Sequence, residues 1–174
     1  MCSRRIPLLL LLFLLPLTGT AGATYAGDHP LNATYFGDIK GNYTFTLGDS
    51  MYRGSVLQGE TYNVTYSLDL PPDAKVKFQR LFVYWSWSRI GQKAVYPGFK
   101  LIDSRQPETP LPLVARYPDS KGFVSQYDFY SGLDAYDLTP LHPGRNNFSV
   151  VCTQAGTPNS SVIIFGIGVL AVYE

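Results

Sequence analysis

The sequence predicts an all-β fold, an antiparallel two-sheet sandwich of about nine strands, and three observations predict it. Apolar residues recur at every second position along most of the chain, no apolar set at helical spacing is found, and Gly and Pro punctuate the chain at short intervals (16 and 13 of 174 residues). A period of two marks a strand with one face in a core and the other in water. Many short strands between turn residues are the pattern of a sandwich or jelly roll.

The chain opens on a different signal. Arg4 and Arg5 precede the twelve-residue apolar run Ile6 to Leu17, and Ala21-Gly22-Ala23 fits a small-x-small cleavage site. The run is shorter than the about 20 residues that span a bilayer. Residues 1–23 therefore read as a signal peptide and 24–174 as a single exported domain, with no transmembrane segment expected in the mature chain. Removing Arg4 and Arg5 turns the formal charge from +1 to −1, which takes away the electrostatic case for a nucleic-acid partner. Cys2 would leave with the leader, so Cys152 is expected to form no internal disulfide.

The elements follow in order. Asn42 to Leu47 alternates, with Tyr43, Phe45 and Leu47 assigned to the core and Asn42, Thr44 and Thr46 to water. Thr61 to Leu70 repeats the pattern, with Tyr62, Val64, Tyr66, Leu68 and Leu70 inward, and Pro71-Pro72-Asp73 ends it. Val76 to Trp87 is a longer aromatic strand whose parity slips near Gln79-Arg80, which predicts a bulge there. Ala94 to Ile102 reads as a strand broken at Pro97-Gly98, and residues 103–112, with three prolines, as a loop. Leu113 to Tyr117, Phe123 to Tyr130 and Leu133 to Leu138 are short candidates. Asn147 to Thr153 alternates again, with Phe148, Val150 and Cys152 on the apolar side. Val162 to Tyr173 is apolar throughout, as expected of a central strand covered on both faces; unpaired, it would instead be a site of strand addition.

The strongest functional signal is glycosylation. Asn-x-Ser/Thr occurs at Asn32, Asn42, Asn63, Asn147 and Asn159, five of the chain's six asparagines. With 25 Ser and Thr in 174 residues, chance puts one two places after a given Asn about once in seven. Asn42 and Asn63 fall on the faces assigned to water, where a bulky glycan fits. The rings of Tyr84, Trp85, Trp87 and Tyr96 are either core or an exposed platform on which sugars stack. Cys152, sharing the parity of Phe148 and Val150, reads as a buried thiol, with an intermolecular disulfide as the alternative.

Other patterns carry less. Asp119, Asp128, Asp134 and Asp137 are the oxygens a calcium ion would want, but their spacing matches no calcium loop, so no metal is expected. Gly48-Asp49-Ser50 resembles the nucleophile block of a lipolytic hydrolase family; that chemistry needs an oriented histidine base. The only histidines are His29 and His142, both beside prolines, and the helices of that fold are missing, so a turn is the better reading. Gly166-x-Gly168-x-x-Ala171 mimics a dinucleotide fingerprint without the helix that must follow. Catalysis and cofactors are not expected.

Two stretches together resemble a known family. One is Arg80-Leu81-Phe82-Val83-Tyr84-Trp85-Ser86-Trp87 after the proline-ended strand. The other is Ala135-Tyr136-Asp137-Leu138-Thr139, then Pro143-Gly144-Arg145-Asn146-Asn147, then Gly166 to Glu174. From about Tyr35 to Glu174 the chain is similar to a domain family of unknown function found in secreted surface proteins of methanogenic archaea. The Tyr-Asp-Leu-Thr and Gly-x-Asn-Asn pieces also look like the penultimate strands of jelly-roll sugar-binding domains. The resemblance implies an extracellular, β-rich module and supplies no catalytic residues. Relatives are often multidomain, so the lone unit raises the question of its anchoring. Together these readings predict a secreted or cell-surface glycoprotein acting in structure or adhesion, with other surface proteins or copies of itself as partners. The alternative is a carbohydrate-binding module with glycans on Trp85 and Trp87.

Overall fold

The computed structural model describes residues 33–119 and 129–174, and it is all β. Among the described residues ten strands form two antiparallel sheets. They are β1 (Asn42–Thr46), β2 (Arg53–Leu57), β3 (Thr61–Leu70), β4 (Val76–Ile90), β5 (Lys93–Ala94), β6 (Phe99–Asp103), β7 (Leu113–Asp119), β8 (Tyr130–Tyr136), β9 (Gly144–Gln154) and β10 (Ser161–Tyr173). The large sheet runs β10-β4-β8-β7, with β1 and β2 both on the free side of β10 and β5 on the end of β4. The small sheet runs β3-β9-β6.

Alternation builds the interface between them. From the small sheet come Val64, Tyr66, Leu68 and Leu70 of β3, Phe148, Val150 and Cys152 of β9, and Leu101 of β6. Leu81, Val83 and Trp85 of β4 and Ile167, Val169 and Ala171 of β10 meet them from the large sheet. Each fully buried large aliphatic side chain stabilises the fold by about 1.5–3 kcal/mol, and this two-layer contact is the core. The Tyr66 hydroxyl ties the layers by donating to the Ile167 carbonyl at 2.8 Å, and burial pushes its phenol far above the ordinary value.

The strand pattern of β3 and β9 is as the alternation predicts, and β10 is central, paired on both edges, but it is not covered on both faces, since Phe165 stands exposed on the outer side. Three expectations need correction. In β1 the faces are reversed: Thr44 and Thr46 lie opposite the buried Ala171 and Val169, while Tyr43 and Phe45 lie opposite Val172 and Leu170 on the outer side. The rule that rings go inward fails because this outer surface is itself aromatic. Second, pairing of β4 with β10 is continuous at Gln79-Arg80 itself, and the irregularity lies just before it, where Phe78 pairs with Val172 but Val76 with Tyr173, leaving Lys77 as the extra residue. The apparent slip arises because Phe78 stands on the outer face, stacked on Tyr35 with centroids 4.9 Å apart, under the Arg80 guanidinium. A second bulge lies at Ser86-Trp87, where Trp85 pairs with Gly132 but Ser88 pairs with Tyr130. Third, Pro97-Gly98 does not kink one strand: it is where the chain leaves β5 in the large sheet for β6 in the small one. β2 has no counterpart among the expected strands, since Arg53-Gly54-Ser55 shows no apolar period. Most of the Phe123 to Tyr130 candidate lies outside the described residues, with Tyr130 opening β8.

Candidate functional site

Two of the sequon asparagines, Asn63 and Asn147, share one sheet face. Asn42, Asn63, Asn147 and Asn159 are all exposed; Asn32 lies outside the described residues. Asn63 and Asn147 stand on adjacent strands of the small sheet, on its outer face. Asn42 shares the side of Thr44 but is at the strand end, in solvent, and Asn159 sits in a turn with a left-handed φ of 63°. The asparagine outside a sequon behaves oppositely. Asn146 is 1 % exposed. Its Oδ1 accepts from the His142 amide, and its Nδ2 donates to the carbonyls of His142 and Gly144, closing that turn.

The predicted aromatic platform is not one site. Trp85 is 2 % exposed and belongs to the core, so it cannot stack a ligand on its face. Its Nε1 donates to Asp134 Oδ1 at 3.0 Å. Asp134, fully buried, also accepts from Arg116 Nε at 2.7 Å and from the Tyr136 hydroxyl at 3.3 Å. Burial pulls the Arg116 guanidinium down, but its bond to Asp134 and that carboxylate's charge prevail and hold it above the ordinary value. Trp87 and Tyr96 are exposed, but Trp87 lies with its ring tilted against Phe129 and Tyr96 stacks on Tyr130. Tyr84 is exposed elsewhere, on the outer face of the large sheet.

That outer face holds a feature that no sequence motif marks. A groove of about 650 Å³ is lined by Phe45, Leu47, Tyr84, Phe165, Ser86, Ser131, Gly132 and Gly166, with the edge of Trp85 in its floor. Two bulges make it. Phe165 is the extra residue where Ile164 pairs with Trp85 but Gly166 pairs with Tyr84, and this turns its ring outward. On the other side the Ser86-Trp87 bulge parts β4 from β8, and Trp87 adopts φ 55°, a left-handed conformation that costs an aromatic residue. The Ser86 and Ser131 hydroxyls lie 3.2 Å apart in the floor. Phe45 and Leu47 lean over the glycines of β10: a Cβ on Gly168 would fall 2.7 Å from the Phe45 ring. Within the Gly166-x-Gly168 signal that mimics a nucleotide fingerprint, Gly168 is thus the bed for Phe45 of β1 and for Leu47 just after it.

The other motifs resolve into structural roles. Ser50 Oγ accepts from the Ile167 amide at 2.9 Å and lies 3.2 Å from the Tyr62 hydroxyl. It caps β10 in the gap between the pairings of β1 and β2, while Asp49 accepts from the Thr65 amide on the edge of β3. His142 is exposed, with Nδ1 2.9 Å from the Pro143 carbonyl. Asp137 pairs with Arg80, and Gln79 holds the Leu138 carbonyl and the Leu141 amide. Arg105, paired with the buried Asp103, reaches the Thr139 carbonyl. The Asp137-Leu138-Thr139 motif is therefore a clamped strand end. Asp134 and Asp137 are each engaged by an arginine, Asp119 ends β7, and Asp128 lies outside the described residues. Among the described residues no three His, Cys, Asp or Glu side chains converge as a metal site requires. Cys152 is buried, which pushes its thiol well above the ordinary value.

Comparison with known proteins adds one match. The profile of a family described as "Protein of unknown function (DUF3344)" covers residues 24–174. No curated protein and no solved structure matches the chain.

Proposed function

The chain belongs to the DUF3344 family of proteins of unknown function, and we propose that it is a secreted, N-glycosylated cell-surface module without catalysis. It makes its contacts through the outer face of the large sheet. The observation that carries this reading is the division of the two outer faces. Sequons at Asn63 and Asn147 lie on the small sheet, while exposed rings crowd the large one. Patches of exposed apolar side chains on a monomer mark interaction surfaces; glycans on Asn63 and Asn147 leave this one open, and Asn42, at the end of β1, shares the side of Thr44 and not that of Phe45.

Further support comes from the leader-like residues 1–23 and a family match that begins at Thr24, next to the expected cleavage site. The resemblance to secreted surface proteins of methanogens points to the same compartment, with other envelope proteins or a second copy as partners. Ser50, the candidate nucleophile, is engaged in strand capping, which favours a non-catalytic role.

The test is attachment. Peptide mapping of the secreted protein should find glycans on Asn63 and Asn147, and the protein should bind envelope material from the producing cell. Phe165, at 54 % exposure, can be replaced by lysine without disturbing the core. Phe165→Lys should lose attachment; unchanged attachment overturns the contact-face reading.

A further inference from the structure

We propose that the groove between Phe45, Leu47, Tyr84 and Phe165 binds a neutral glycan, with a sugar ring lying against the aromatic walls. This rests on the contact-face reading and names the ligand of that face. Four observations lead to it.

The first is the chemistry of the lining. None of the nine lining residues is charged, which matches an uncharged ligand and disfavours anionic or cationic ones. The walls are rings and an isobutyl group. The floor carries two hydroxyls that bond each other and keep spare donor and acceptor capacity. A hydrocarbon chain would bury that capacity unused. A sugar has both an apolar C–H face for the rings and hydroxyls for the serines. The volume of about 650 Å³ is within the range of small-ligand sites.

The second concerns Gly166. A Cβ there would meet Ser50 Oγ at 3.5 Å and Leu47 Cδ2 at 3.7 Å, ordinary contacts. On Gly132 and Gly168 it would fall 2.5 and 2.7 Å from ring atoms of Trp85 and Phe45. Packing explains the latter two glycines but does not demand Gly166. A strand glycine with room for a methyl is found at bulges and where a ligand approaches the backbone, and Gly166, next to the Phe165 bulge, lines the groove.

The third is local irregularity. Bulges at Phe165 and at Ser86-Trp87 flank the groove, and Trp87 has left-handed backbone. The pairing of β10 shifts register at Ser161/Ile163 and Ile163/Ile164 as well, so irregularity is concentrated at this end of the sheet. Such features re-aim side chains beside functional sites. The fourth is rigidity. Trp85, whose edge forms the floor, is fixed by its bond to Asp134, so the groove exists before any ligand arrives.

The experiment uses the secreted full chain on an array of neutral oligosaccharides built from hexoses and N-acetylhexosamines, followed by calorimetric titration of the hits. Binding is expected, with Tyr84→Ala and Phe165→Ala each weakening it about tenfold. Gly166→Ala should narrow the groove and weaken binding while leaving the melting temperature near that of the parent. Binding of phosphatidylcholine vesicles in place of glycans overturns the proposal. So does undiminished glycan affinity in a well-folded Gly166→Ala protein. A blank array combined with lost envelope attachment in Phe165→Lys removes the glycan and leaves the contact face standing. Normal attachment in Phe165→Lys removes both.

Discussion

The outer faces of the two sheets are built from the same kind of strand and end up chemically opposite. On the small sheet Asn63, Thr65, Ser67 and Asp69 of β3 lie beside Arg145 and Asn147 of β9, and Asp69 pairs with Arg145 in full solvent, where an ion pair contributes little. On the large sheet Phe45, Leu47, Tyr84 and Phe165 hold the equivalent outward positions at 46, 43, 37 and 54 % exposure. Alternation makes both: it states that two faces differ without stating which one meets water. The small sheet can present polar groups because nothing else is asked of it. The large sheet leaves apolar area open, a cost in solubility that makes sense where a partner or ligand covers it.

The largest effect expected from disturbing this contrast comes from beneath the aromatic face. Asp134 fixes Trp85 under the groove and neutralises Arg116. Asp134→Ala leaves a partly buried guanidinium without its carboxylate and an indole N–H without its acceptor. The expected loss is about 3–5 kcal/mol, measured as the shift in urea midpoint at constant slope. A loss below about 1 kcal/mol would mean that water replaces Asp134 and that the groove floor is not held in the way described.

A smaller effect sharpens the contrast within the large sheet itself. Gly168 and Gly166 are two residues apart on one face of β10. Gly168→Ala would drive a methyl into the Phe45 ring and should cost about 1–3 kcal/mol. Gly166→Ala meets only ordinary contacts, and the gain in backbone propensity offsets what little it disturbs, so its stability should stay within about 0.5 kcal/mol. Thermal melts of the two variants side by side decide the matter. Equal losses would mean that Gly166, too, is a packing glycine and that no ligand needs to approach the backbone there.

How much of the fold is legible in the sequence follows from the same asymmetry. β3 and β9 are readable because one partner layer, the core, decides their inward set: Val64, Tyr66 and Leu68 have nowhere else to go. β1 is not, because Phe45 packs on Gly168 from outside, a long-range arrangement that local alternation does not encode. The same holds for the groove. Phe45, Ser86, Ser131 and Phe165 are brought together by strand order and by two bulges, and bulges leave only a slip in parity. The glycine pair is the available clue: two glycines at strand spacing opposite Phe45 and Leu47 mark a bed for side chains. Trp85 reads equally as core or surface because large side chains of both parities surround it in β4. What decides it is Asp134, a partner for the indole N–H that stands far off in the chain and looks there like a stray carboxylate.

The smallest expected effect on stability tests the small sheet's face. Asn63 and Asn147 point into solvent on adjacent strands, and neither side chain is needed to hold the sheet. Asn63→Gln with Asn147→Gln removes both sequons while keeping polarity and size. Folding stability of the unglycosylated polypeptide should change by less than about 0.5 kcal/mol. Attachment through the opposite face should be unaffected. Resistance to proteases and to aggregation of the secreted protein should fall, because bulky hydrated chains no longer shield β3, a strand at the edge of its sheet. Loss of attachment in this variant would place the contact surface on the small sheet and reverse the assignment of the two faces.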